Sequence, residues 1–465
     1  MLNYFPKFFT NKAIALYVGA LVLVSVVFFK RILPFQWMLF GLVEVIGFFY
    51  FSNLFTRKWT RYTPKAYEKK LFRTSLSIRM VWVVFSYLFY LYMTGTPFEF
   101  GSADAFFYNS KADSFSHSTF NIPDIVQQLG ASDSGYIIYL TIIKKIIPND
   151  IIITRLLKAV LSSITCVFIY RLARRNFGEE VGRMSGVFCM LLPNLIYYTG
   201  LHLKETEMVF LTVWCLERSD FVLREKKYNF INIAIPLALA GSLFFFRTIL
   251  GATALFAFFT AIIFSSTRIL GMGKRVLLAI WIFVTVGYFV GGRIDAEMQA
   301  LWAQKDTNQQ NSMEWRSVRE NGNKFAKYAS GVVFAPMIFV IPLPTMINIT
   351  TQPNIMLING GNYVKNVMAF FVIFAVSWII RKRKWREFTL LGAFTLGYLL
   401  TIAVTGFAQS ERFHQPTLSF LMIFAAFGIS QATNKQKKYF RWWLVFLFVC
   451  LIGWSWFKLA GRDVV

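Results

Sequence analysis

The chain has 465 residues, 56% of them hydrophobic and 18% aromatic, and a net charge of +26. Its mean hydropathy is +0.51, and its apolar residues recur in runs of roughly 17–20, the length a helix needs to cross ~30 Å of hydrocarbon. That excludes a water-soluble globular domain, and the lack of period-two alternation excludes an outer-membrane barrel.

The positive charge would suggest nucleic acid in a soluble protein. Here it gathers in short loops between apolar runs: RKWTRYTPKAYEKKLFR at 57–73, RLARR at 171–175, REKK at 224–227, RKRKWR at 381–386 and NKQKK at 434–438. Loops of this kind stay on the cytoplasmic side, and no nucleic-acid partner is expected. Cys166, Cys189, Cys215 and Cys450 sit inside apolar runs without metal-ligand spacing. They read as small buried hydrophobes.

With the basic loops inside, spans over 13–29 and 33–55 form an N-terminal hairpin, residues 1–56. No small-residue cleavage site follows the first span, so it reads as retained rather than as a signal peptide. Residues 57–291 form the membrane core. Its span 78–96 runs outward, 97–150 is a first outer loop, and 152–171 returns inward. Within that loop GYIIYLTIIKKII (135–147) is too short and too charged to cross, and reads as an interfacial helix. Spans 182–200, 206–222, 229–246, 249–266 and 275–291 follow, with Arg247 at an outer turn.

Residues 292–362 hold a second outer stretch, 293–330, and the apolar segment 331–349, broken by Pro336, Pro342 and Pro344. A crossing there would put RKRKWR outside, so a re-entrant or interfacial segment is expected. Spans 363–380, 388–405, 414–431 and 441–458 make up the C-terminal part, 363–465. The expected fold class is an all-α polytopic membrane protein of about thirteen transmembrane helices. No internal repeat is visible, which argues against a symmetric transporter.

Ionisable residues are expected to be scarce in mid-span, with Glu44 the clearest exception, read as a hydrogen-bonded interhelical contact. The others collect at the outer edge: Asp104, Asp113, Asp124 and Asp133; His202, Lys204, Glu205 and Glu207; Arg247; Glu297, Asp306, Glu314, Arg316, Arg319 and Lys324; Glu411, Arg412 and His414. Acids supply a general base or ligands for a divalent cation. Arginine forks suit a phosphate. Apolar helices beside them suit an acyl or isoprenoid tail.

Four motifs carry these residues. In GSADAFFYNSKA (101–112) helical spacing puts Asp104, Tyr108 and Ala112 on one face, and Asp104 is equally suited to capping that helix. In PNLIYYTGLHLKETEM (193–208) His202 and Glu205 share a face if the turn is helical; the alternative is interface decoration. Arg247 in FFFRTILGA (244–252) either snorkels to the headgroups or binds a substrate phosphate. Arg412 and His414 in GFAQSERFHQPTLSFL (406–421) open a span with Pro416 in its first turn. Anchoring to headgroups is the alternative there.

The order of DAFFYNSKA, GYIIYLTIIKKI and RLLKAVLSSITCVFIYRLARRNFGEEVGRMSGVFCMLLPNLIYYTGLHLKE resembles the GT-C glycosyltransferases. The nearest branch is the bacterial one of RgtA/B/C/D-like and lipid A aminoarabinose transferases, together with protein O-mannosyltransferases. The likeness covers about 78 to 265 well. It is weaker through 293–431, where PLP at 342–344 and ERFHQP at 411–416 fit the pattern.

The resemblance implies a GT-C-type bundle in the cytoplasmic (inner) membrane, with interfacial helices in the first outer loop and an active site on the outer, periplasmic face. It implies transfer of a sugar from a polyprenyl-phosphate-linked donor to a glycan, lipid or protein acceptor. The family's first-loop acid carries over to Asp104 as general base, and its second acid to Glu205. Some members hold a divalent metal at these positions and others work without one. No cofactor is therefore assigned, and Asp104 and Glu205 are the residues that would hold magnesium or manganese. Lys204, Arg247 and Arg412 are the donor-phosphate candidates, with Tyr108, His202 and His414 in support. A single in-line displacement would invert the sugar carbon. The rival readings are a lipid-linked glycan polymerase or ligase, which would lean on external arginines, and an isoprenoid-glycan flippase, which would line a central cavity with polar residues.

Overall fold

The computed structural model describes residues 2–118, 121–147, 151–225, 229–264, 280, 335–350, 352–404 and 407–460. Apart from Ile280, the expected span 275–291 lies outside the described residues, as does the stretch 293–330 with Glu297, Asp306, Glu314, Arg316, Arg319 and Lys324.

Seventeen α-helices occur among the described residues: α1 (Lys7–Val27), α2 (Phe35–Lys58), α3 (Pro64–Thr94), α4 (Ala103–His117), α5 (Ile122–Leu129), α6 (Ala131–Ile146), α7 (Ile151–Phe177), α8 (Glu179–Leu191), α9 (Pro193–Thr199), α10 (Glu205–Glu225), α11 (Phe230–Phe244), α12 (Thr248–Phe264), α13 (Pro353–Leu357), α14 (Asn359–Arg381), α15 (Thr389–Val404), α16 (Glu411–Ser430) and α17 (Asn434–Ala460). Eight of these (α1–α3, α7 and α14–α17) are long and apolar enough to cross a membrane. The chain is an all-α polytopic membrane protein. Apolar residues that recur all around a helix leave it only hydrocarbon or other helices as neighbours. α16 is the extreme case, buried along nearly its whole length.

Chain direction alternates so that the basic loops share one end of the bundle. There Arg183 donates to the carbonyls of Trp59, Thr60 and Tyr62. Arg171 forks onto Glu68, and Arg175 bridges Glu217 and Asp220. The turns that carry Asp104, Glu205, Arg247 and Arg412 meet at the opposite end.

Among the described residues, three stretches that depart from continuous helix are each held by a cation from a neighbouring helix. The expected span 182–200 is in fact two helices, α8 and α9, because Pro193 has no N–H to return to the Cys189 carbonyl. Arg79, wholly buried in α3, takes over. Its Nη2 donates to Cys189 O and its Nη1 to Met190 O, both at 3.1 Å. Its Nε donates to Ser162 Oγ at 2.7 Å. The turn after α9 is held by Lys158 of α7, which donates to Leu201 O at 2.8 Å and to Leu203 O. Lys158 also faces Glu207 at 3.6 Å.

The third stretch lies in the segment expected to be re-entrant or interfacial, of which residues 335–349 are described. After a 3-10 turn at Ala335–Met337 the backbone is irregular, yet Ile338, Val340, Ile341, Leu343 and Met346 are buried. Lys365 of α14 donates to Ile341 O. Asn366 donates to Val340 O and, at 3.0 Å, to Pro342 O. Irregular backbone at this depth is tolerated only where protein satisfies it.

Mid-span ionisable groups are therefore more numerous than expected. Arg79, Lys158 and Lys365 join Glu44, because broken helices leave carbonyls that need strong donors. Glu44 is the interhelical contact foreseen: its Oε2 accepts from Gly361 N at 2.9 Å. The helices approach so closely that a Cβ at Gly360 would lie 2.6 Å from Gly41 O.

Arg79→Met keeps the apolar stem but leaves buried carbonyls without a donor. A loss of about 3 kcal/mol is expected, seen as a lower unfolding temperature in detergent. An unchanged transition would contradict the role given to Arg79.

Candidate functional site

The site begins with the short helices of the first loop. Ala105, Tyr108 and Ala112 form the buried face of α4. Tyr108 meets Tyr136 of α6 edge-on, with ring centroids 5.2 Å apart. Asp113 pairs with Lys144 at 3.0 Å, which fastens α4 to α6. At 16 residues α6 is too short to cross.

This packing leaves Asp104 in the first turn of α4 with its side chain 54% exposed. It does not cap the helix: Ser102 occupies that position. The Asp104 carboxylate instead accepts from Arg412, at the start of α16. Arg412 Nη1 donates to Asp104 Oδ2, and Arg412 Nε donates to Glu205 Oε1.

Glu205 is wholly buried at the start of α10, where the positive end of the helix favours its charge. Arg247, at the turn between α11 and α12, places Nη2 3.9 Å from Glu205 Oε1. Its Nη1 donates to Tyr398 OH at 3.1 Å. Its guanidinium lies over the Phe413 ring, 4.2 Å from the centroid. Asp104, Glu205, Arg247 and Arg412 thus form one cluster drawn from four parts of the chain. The cluster reaches beyond the expected core at 57–291, because Arg412 comes from the C-terminal part.

Lys204 stands beside this cluster but turns away from it. Its ammonium donates to Asp133, to Ser132 O at 3.0 Å and to Phe246 O at 2.7 Å. All three N–H groups are therefore engaged, so Lys204 braces the loop and has no donor left for a phosphate. The Tyr108 hydroxyl donates to the same Asp133 oxygen at 3.0 Å. Burial alone would raise the Asp133 carboxyl, but the charge and hydrogen bond of Lys204, helped by Tyr108, hold it below the ordinary carboxylate range. Next to it, Gly135 N donates to Phe245 O at 2.8 Å. A Cβ on Gly135 would sit 2.9 Å from that oxygen, so the approach needs glycine. This brace fixes the Arg247 turn against α6. Sequence reading placed Asp133 among the outer acids without giving it a partner, since Lys204 is 71 residues away.

The two histidines lie apart from the cluster. Residues 201–203 form a bend and not a helix, so His202 and Glu205 do not share a face. The His202 ring packs between Phe98 and Tyr136, at 5.7 and 6.1 Å. Burial, then the charges of Lys158 and Arg155, push its imidazole well below the ordinary value. His414 belongs to the support of the re-entrant segment: Nδ1 lies 2.8 Å from Lys365 Nζ and Nε2 2.8 Å from Ala408 O.

Behind Glu205 lies a cavity of about 10 Å³, lined in part by Ser162, Tyr198, Glu205, Thr206 and Gln415. Glu205 Oε2, Thr206 Oγ1 and Gln415 Oε1 have no hydrogen-bond partner among the described residues. The space suits one bridging water. The two faces of the site therefore differ. Glu205 is a buried anchor for Arg412, whereas Asp104 is presented to solvent. The arrangement can bind an anion through its arginines and accept a proton at Asp104.

No protein-family model matches the chain, and no curated protein matches it. Among solved structures it is similar to the archaeal oligosaccharyltransferase AglB from Archaeoglobus fulgidus, solved in complex with an inhibitory peptide and a dolichol-phosphate. The identity is 14% and the TM-score 0.41, over 85% of this chain and 56% of that one. The chain spans little more than half the length of that enzyme. At this identity and score the likeness establishes neither a shared fold nor a shared reaction.

Because the folded Asp133 carboxyl lies below its unfolded value, the brace contributes fully above the unfolded range and fades as pH falls through the folded one. Asp133→Asn should release the brace at neutral pH. Amide deuterium uptake is expected to rise at 131–136 and 244–248 and to stay unchanged along α7. Equal uptake in wild type and variant would contradict the coupling.

Proposed function

We propose that the protein is a GT-C-type glycosyltransferase that moves a sugar from a polyprenyl-phosphate-linked donor to an acceptor hydroxyl. The reading places the reaction at the outer face of the cytoplasmic membrane, opposite the basic loops. The observation that carries it is the Asp104–Arg412–Glu205 array with Arg247 beside it. It sets an exposed carboxylate and two arginines together where helix ends meet. The motif order along 78 to 265 supports the same reading.

Asp104 serves as general base. The acceptor oxygen forms a bond to the anomeric carbon as that carbon's bond to the phosphate oxygen breaks. The electron pair leaves with the polyprenyl phosphate, and the acceptor proton passes to Asp104. Because the phosphate is already a good leaving group, the protein needs cations near it more than a strong acid. Arg412 and Arg247 fill that role. In the free protein Arg412 holds Asp104. An arriving phosphate competes for the same guanidinium, while Glu205 keeps hold of Nε. The base is thereby released only when the donor is bound. One in-line displacement inverts the sugar carbon.

Lys204, Tyr108 and Asp133 position α4 and the Arg247 turn, and His414 steadies the segment behind α16. None of these needs to touch substrate. The isoprenoid tail lies among the apolar helices.

The test is transfer by purified protein in lipid vesicles, supplied with polyprenyl-phosphate sugars and candidate acceptors. Asp104→Asn is expected to lose about 10²–10⁴-fold in rate at an unchanged unfolding temperature. Transfer at the wild-type rate would contradict the assignment of the base.

A further inference from the structure

The two carboxylates that the family resemblance offers to a divalent cation are already joined, and not by an ion. We infer that the Arg412 guanidinium, and not a bound metal, is the positive bridge between Asp104 and Glu205. The inference rests on the transferase reading only for the identity of the anion that the site receives.

The geometry supplies the first reason. One planar fork donates Nε to Glu205 Oε1 and Nη1 to Asp104 Oδ2. The guanidinium fills the gap in which an ion would have to touch both residues. Glu205 Oε1 also faces Arg247 at 3.9 Å. Its other oxygen, Oε2, has no hydrogen-bond partner among the described residues, and Glu205 lines the small cavity with Thr206 and Gln415.

The donor set supplies the second reason. Magnesium and manganese favour about six oxygen ligands. Among the described residues no group of three or more His, Cys, Asp or Glu side chains could hold a metal ion. Asp133 is engaged by Lys204 and Tyr108. Charge is the third reason. Arg412 and Arg247 already crowd Glu205, and a doubly charged ion there would be repelled by both.

Arg412 then performs what a metal would. In the free protein it ties the two acids into one unit, and with donor bound it stays on Glu205 and offers positive charge to the departing phosphate. A lysine could not replace it, since a single ammonium has no rigid fork with which to span two carboxylates.

Two measurements on purified wild-type protein test this. Manganese is titrated into chelator-treated protein and followed by electron paramagnetic resonance. Transfer from the polyprenyl-phosphate donor is measured with and without chelator. No stoichiometric bound ion, and a rate unaffected by chelation, are expected. Arg412→Lys is expected to lose transfer on the order of a hundredfold, without rescue by manganese. A bound ion that disappears in Asp104→Asn would overturn the inference. So would transfer that stops on chelation and returns with manganese. The resonance experiment uses no substrate, so failure of the transferase reading would show separately, as absence of transfer in every condition.

Discussion

In hydrocarbon every backbone N–H and C=O must find its partner within the protein, and this structure is organised around the places where a helix cannot provide one. Pro193 breaks a span, the turn after α9 is irregular, and the segment after Ala335 enters the bundle without forming a helix. At each place a cation from an unbroken helix supplies donors: Arg79, Lys158 and Lys365 respectively. A basic side chain is costly inside a membrane unless strong acceptors surround it. Freed carbonyls are such acceptors, so each defect offsets the other.

The same breaks decide where the polar site lies. The turn held by Lys158 delivers Glu205 to the start of α10. The segment held by Lys365 and Asn366 lies against His414, two residues after Arg412 on α16. From these fixed points the buried Glu205 anchors Arg412, and Arg412 reaches the exposed Asp104. The Lys204–Asp133 brace then carries the order outward, from α10 to α6 and on to α4. Burial decreases from Glu205 to Asp104, so under the proposed function an arriving anion would displace the exposed contact and leave the buried one standing.

Much of this could be read in the residues. Apolar run length and basic loops located the long helices and the shared end at which Asp104, Glu205, Arg247 and Arg412 meet. Pro336, Pro342 and Pro344 marked the segment whose backbone is irregular. What could not be read was pairing over long sequence separation. Nothing near Lys204 tells that its three N–H groups are taken by Asp133, Ser132 and Phe246, so it looked available for phosphate. His202 and His414 had suitable positions in the chain, but a bend and a buried lysine assign them to packing. Arg79 and Lys158 passed as ordinary members of their helices, because their meaning lies in the carbonyls opposite.

The central claim, that the polar end of the bundle transfers a sugar from a lipid carrier, is tested most directly in cells. Lipids and surface glycans of a deletion strain and its parent would be compared by mass spectrometry. The account predicts that the deletion loses one sugar from a glycan, lipid or protein and accumulates that sugar on polyprenyl phosphate. Accumulation of whole glycans on their carrier, with every sugar present, would contradict it and point to a polymerase, ligase or flippase.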